Sequence, residues 1–165
     1  MESKTASTLK RELERQLKTV LPQFTKSSGK GPPLYSWRTE GGLTFFLLLV
    51  IDPHWDRFTL EAAWHTGGEF PWNGDLFESP FTLNSTARRF RLVRLWDDKR
   101  SDYWWELASP SDKNSITAAL RERPGVTLPD VAALVGDALE RIKARALPYF
   151  EEVRRAHSGR ATSEQ

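Results

Sequence analysis

The chain of 165 residues contains no cysteine. That excludes disulfides, thiolate metal ligands and a cysteine nucleophile, and with them a disulfide-built secreted domain. Histidine is scarce, with only His54, His65 and His157. Long apolar runs are also missing. The longest, Phe45 to Ile51, falls far short of the roughly 20 residues that a membrane span requires. Residues 1–16, MESKTASTLKRELERQ, lack an apolar h-region, which predicts no secretory leader. Nor is there an excess of one charge: 24 Lys+Arg face 22 Asp+Glu, unlike the strong basic bias of a dedicated nucleic-acid binder. The chain is therefore expected to be cytoplasmic, with no membrane partner.

Phosphate-cradling loops are absent too. The glycines near 29–31, 41–42 and 67–68 lack the GxxxxGK[ST] and GxGxxG spacings, and no GxSxG elbow occurs. No cofactor is expected, and an enzyme is neither supported nor excluded. The length suits one domain, read as residues 1–157 with a tail at 158–165.

What is present is periodicity. Leu9, Leu13, Leu17, Val20 and Leu21 form one stripe of a helix over 8–21, which Pro22 ends. TKSSGKGPP (25–33) reads as a linker. A meander follows. Strand 34–40 has Tyr35 and Trp37 on one face, and Gly41-Gly42 turns the chain. Strand 43–51 is apolar on both faces and therefore central. Strand 57–65 alternates, with Phe58, Leu60, Ala62 and Trp64 opposed to Arg57, Thr59, Glu61 and His65, as a half-buried strand does. Residues 88–95 read as a fourth strand, and 103–107 as a fifth paired to it through a turn at 97–100. A short helix is expected near 113–122. A last helix is expected from Thr127 to about 157, with Asp130 at the capping-box position and Pro148 kinking or splitting it. The predicted class is α+β: an antiparallel meander of four to five strands, with the N-terminal helix and the long C-terminal helix packed on one face.

Asp52, His54 and Asp56 sit close enough to be drawn as a metal site, but an Asx turn before Pro53 accounts for them, and no metal site is assigned. His65 stands at a strand end as a conceivable general base, with no nucleophile or orienting carboxylate evident beside it. No catalytic residue is assigned.

Two segments are richer. Residues 66–87 (TGGEFPWNGDLFESPFTLNSTA) carry Glu69, Asp75 and Glu78, no basic residue, and Phe70, Trp72, Phe77 and Phe81. An irregular stretch of that length is uncommon and often functional. Aromatics among carboxylates suit docking onto a basic protein surface, so Glu69, Phe70, Trp72, Asp75, Phe77 and Glu78 are the expected protein-binding residues. The alternative is that the rings tuck under the sheet as satellite core. Residues 88–105 carry Arg88, Arg89, Arg91, Arg94, Trp96 and Arg100 among further rings, the composition of a single-stranded nucleic-acid platform. Alternation splits the arginines, however, and an edge hairpin whose arginines pair with nearby aspartates explains them better.

The helix, the polar linker and a third strand reading FTLEAAWHTGGEFP (Phe58 to Pro71) resemble small bacterial domains of unknown function found among toxin-immunity and defence-associated proteins. The likeness covers residues 8–72 and brings no catalytic residue with it. It implies a bacterial, non-catalytic interaction protein; joined to the composition of 66–87, the leading expectation is a protein-binding domain, of immunity or defence type, whose 66–87 loop meets a basic partner. A nucleic-acid-binding accessory domain using 88–105 and an enzyme of unrecognised type are the alternatives.

Overall fold

The computed structural model of the chain describes residues 4–52, 54, 56–97, 100, 103–107 and 130–161. Helix α1 spans Lys4–Val20. It starts a turn earlier than the leucines alone indicate, because Ala6 extends the buried stripe of Leu9, Leu13 and Leu17 by one step. Beyond it, Thr25–Lys26 is not linker but a short edge strand β1, paired with Ser36 and Tyr35.

Strands β2 (Leu34–Arg38), β3 (Thr44–Asp52) and β4 (Arg57–His65) follow in antiparallel order. The β2–β3 turn uses Gly42 at φ +84°, a conformation that side chains with a Cβ rarely adopt. The register sets Phe45 opposite Trp64 and Leu49 opposite Leu60. Strand β5 (Ala87–Arg91) pairs with the far half of β4, Glu61 to His65.

Here the structure corrects the expected fourth and fifth strands. The chain leaves the sheet at Arg91 and makes a 3-10 turn over Leu92–Leu95, which buries the adjacent residues Leu92 and Val93 together. A strand would send neighbours to opposite faces. The next strand, β6 (Trp105–Glu106), does not pair with β5. It takes the edge of β4 that β5 leaves open, at Arg57 and Phe58. Strands β5 and β6 thus lie end to end along one side of β4.

Helix α2 (Val131–Arg141) is capped by Asp130, whose carboxylate accepts from the Ala133 N–H. Asp130 is therefore the N-cap itself rather than a residue inside the first turn. The expected start at Thr127 and the helix near 113–122 lie outside the described residues. Pro148 neither breaks nor sharply splits the last helix. A π-helical turn over Ile142–Ala146 precedes it, with the Leu147 N–H reaching back to the Ile142 carbonyl, and α3 continues over Leu147–Ala161. Proline cannot bond to the carbonyl four residues back, and its ring crowds that carbonyl. Widening the turn relieves both conflicts while keeping Ile142 and Ala146 buried.

Helices α1, α2 and α3 cover one face of the sheet. Leu9, Leu13 and Leu17 of α1, Val135 and Leu139 of α2, and Phe150 and Val153 of α3 share a core with Phe45, Leu47, Leu49, Phe58, Leu60, Ala62 and Trp64. Phe45 stacks on Phe150 at 4.4 Å between centroids. The fold is α+β, with the meander and its one-sided helical layer. Among the described residues no helix is long and apolar enough to cross a membrane.

The opposite face departs from the half-buried expectation for β4. Thr59 and Glu61 are each 2% exposed. Phe46, Leu48, Ala63 and Phe70 form a second, smaller cluster on that side.

Candidate functional site

The 66–87 segment forms the most distinctive surface. Its two ends are tied together by the Thr66 N–H donating to the Thr86 carbonyl at 2.9 Å. Between them the chain is a series of tight turns. Asp75 accepts from the Phe77 N–H at 2.8 Å, Ser79 accepts from the Phe81 N–H at 3.3 Å, and the Gly74 N–H reaches the Pro71 carbonyl at 2.9 Å. Short polar side chains bonding the backbone two residues on make such turns without a partner element. Gly74 is required by close approach: a Cβ there would sit 2.9 Å from the Arg89 Cβ.

The loop is held by the arginines of β5. Arg88 is buried and donates to the Thr82 carbonyl and the Ser85 hydroxyl, at 2.9 and 3.0 Å, and to the Glu78 carboxylate. Arg89 donates to the Trp72 carbonyl at 2.6 Å and lies 5.2 Å over the Phe70 ring. Arg94 lies 3.5 Å from the Phe77 carbonyl, at the edge of hydrogen-bond range. A fourth anchor comes from α3. The Trp64 indole N–H donates to the Tyr149 hydroxyl at 3.0 Å, and that hydroxyl donates to the Pro80 carbonyl. Burial raises the Tyr149 phenol well above its ordinary range, so it stays a donor.

The two segments read as rival sites are thus one unit, since the basic strand holds the acidic loop in shape. Its rings divide. Phe70 is buried and meets Phe46 edge to face at 5.5 Å, as satellite core. Trp72, Phe77 and Phe81 are exposed by 54, 76 and 53%, the large apolar side chains that stand out into solvent among the described residues. Trp72 rests on Phe70, toward the face of Phe46, while Phe81 meets Tyr149 on the helical side. Trp72 and Phe81 are therefore packed toward opposite faces of the sheet. Glu69, Asp75 and Glu78 are exposed beside them, with Glu78 committed to Arg88. Phe81 and the anchor Tyr149 were not singled out by sequence. Phe81 was visible in the composition of the loop, whereas Tyr149 lies in a helical stripe that discloses only burial.

The nucleic-acid candidates are largely occupied. Arg89 and Arg91 both pair with Glu61, at 2.7 and 3.0 Å, and Arg88 with Glu78. These partners are glutamates brought from elsewhere in the chain, not the neighbouring aspartates that an edge hairpin would offer. Trp96 meets Tyr103 at 6.0 Å with Arg141 over both rings, and Arg100 stands over Tyr103. Trp104 lies under Arg57 at 4.3 Å and Arg91 at 5.5 Å. Rings faced by the protein's own guanidinium groups offer little stacking surface to bases.

The turn after β3 is the Asx turn that its sequence indicates. Asp52 accepts from the His54 N–H at 3.1 Å and pairs with Arg57 at 3.1 Å. His65 caps the next turn by accepting from the Gly67 N–H at 2.6 Å. Among the described residues no cluster of three or more His, Asp or Glu is arranged to hold a metal ion. The chain matches no protein-family model, no curated protein and no solved structure.

Proposed function

We propose that this is a non-catalytic protein-binding domain of bacterial immunity or defence type, acting in the cytoplasm, with the 66–87 loop as its binding surface. One observation carries the reading: the three large exposed rings Trp72, Phe77 and Phe81 all stand on a single loop whose backbone is pinned from beneath. A loop ordered before binding avoids the entropic cost of being ordered by it. Exposed aromatics supply contact area with few rotatable bonds, and they dominate retention in most interfaces. Glu69 and Asp75 add negative charge at the rim and favour a partner with a basic surface, chiefly by speeding encounter.

A photo-reactive residue placed at Phe77 captures the partner, whose binding kinetics are then measured. Trp72→Ala is expected to raise the dissociation rate about 30-fold or more, as loss of a central anchor does. Asp75→Lys is expected to slow association at low salt and to have little effect at high salt. A partner that binds Trp72→Ala and Phe77→Ala as tightly as the parent would overturn the reading. Retention on heparin with a steep salt dependence would favour the nucleic-acid alternative instead.

A further inference from the structure

The β2–β3 turn and the last turns of α3 border a cavity of about 700 Å³, and none of its lining residues belongs to the 66–87 loop. Trp37 and Leu43 supply its apolar lining; Arg38, Arg154, Arg155 and His157 supply its polar one, with Glu40 the single lining carboxylate. The indole of Trp37 is fixed from behind by Phe24 at 5.9 Å and Phe45 at 5.3 Å. It remains partly exposed, and it lines the cavity. His157 is placed by its edge-to-face contact with Trp64 at 5.0 Å.

The arginines on the sheet differ from those at the cavity: Arg57, Arg88, Arg89 and Arg91 pair with carboxylates. At the cavity, Arg38 and Arg155 have no ion-pair partner among the described residues. Arg154 pairs with Glu151 at 3.0 Å, but both side chains are well exposed and such a pair is readily exchanged. Uncompensated cations on the wall of a concavity focus a positive potential there. A guanidinium fork matches phosphate oxygens two at a time, and a fixed indole offers a surface for a planar ring. The volume falls within the range of small-ligand sites, roughly 300–1,000 Å³.

We infer that this cavity binds a phosphorylated small molecule carrying a planar ring, the mononucleotide class, with Arg38 and Arg155 on the phosphate and Trp37 against the ring. The inference is independent of the loop reading, since the two surfaces share no residue. An oligonucleotide fits less well, because Arg88, Arg89 and Arg91, the basic run of β5 that would track its backbone, are committed to carboxylates and carbonyls within the fold.

The test is calorimetric titration of the whole chain at low ionic strength with adenosine and guanosine monophosphates, inorganic phosphate, the unphosphorylated nucleosides and a single-stranded oligonucleotide. One mononucleotide is expected to saturate a single site, with phosphate alone and nucleoside alone each at least about tenfold weaker. Arg38→Gln and Arg155→Gln should each weaken it about tenfold or more, the worth of a charged hydrogen bond. Both side chains are exposed, so neither change threatens the fold. Arg141→Gln, outside the cavity, should leave binding unchanged. Trp37→Phe should remove the ligand-dependent change in tryptophan fluorescence. Absence of saturable binding would overturn the inference. So would binding indifferent to Arg38→Gln and Arg155→Gln, phosphate binding as tightly as the mononucleotide, or an oligonucleotide binding more than tenfold tighter than it.

Discussion

The two faces of β4 are buried by different means. Toward the helices, Phe58, Leu60, Ala62 and Trp64 are closed off by hydrocarbon from three helices. On the other side, Thr59 and Glu61 are as thoroughly buried, yet what covers them is polar or aromatic. Thr59 donates to the Tyr103 carbonyl at 2.6 Å, and Glu61 lies between Arg89 and Arg91. Those guanidinium groups in turn lie over Phe70, Trp72 and Trp104. A hydrophobic face needs only the right volume and period. A charged face needs named partners, because a buried carboxylate without them is far costlier than a buried leucine that packs loosely.

The largest expected effects compare apolar truncations on the two faces. Leu60→Ala should cost roughly 2–5 kcal/mol, and Phe70→Ala should cost roughly 3–5 kcal/mol. Equilibrium denaturation of both checks this. If Phe70→Ala proved nearly neutral, the second face would not be a core at all. Next comes charge. Glu61→Gln keeps the size but leaves two cations without a carboxylate, and should cost about 1–3 kcal/mol. A double-mutant cycle with Arg89→Met should show coupling between the pair, whereas a cycle of Leu60→Ala with Arg89→Met should be additive.

A smaller effect belongs to the helical face. Burial, with the charge of Glu14 adding to it, pushes the Tyr35 phenol up to about 12, and burial raises Tyr149 as well. The unfolded chain releases these protons near pH 10, while the fold retains them. Between about pH 10 and 12 the unfolded state therefore binds fewer protons, and stability falls as pH rises. Denaturation midpoints measured from pH 9 upward should show this decline, and Tyr35→Phe should flatten it. The Tyr35 hydroxyl has no hydrogen-bond partner among the described residues, so the same variant should be neutral or slightly stabilising at pH 7.

At the loop, truncation of an aromatic ring should cost less than it does in either core. Trp72→Ala should cost about 1–2 kcal/mol, because half of the ring is already in water, and Phe77→Ala should stay within about 0.5 kcal/mol. A larger loss at Phe77 would mean that the ring packs rather than projects.

What could be read from residues alone followed from period. The stripe of Leu9, Leu13 and Leu17, the alternation from Phe58 to Trp64 and the all-apolar β3 each state their own burial. They were enough for the α+β class and for the face on which the helices lie. The turn at Asp52 was legible for the same reason, since an Asx turn is made by neighbours. Tertiary structure decided everything that joins distant residues. It placed β6 on the free edge of β4, where no local pattern points. It matched Glu61 with arginines about thirty positions away, and it hung the 66–87 loop on Arg88, Arg89 and Tyr149. It also divided one run of aromatics into a buried Phe70 and an exposed Trp72, Phe77 and Phe81. Ion pairs and loop anchors have no periodicity, and their partners are chosen only when the chain brings them within a few ångströms of each other. The same is true of the cavity beside Trp37, whose walls come from a hairpin and from a helix more than a hundred residues further along the chain.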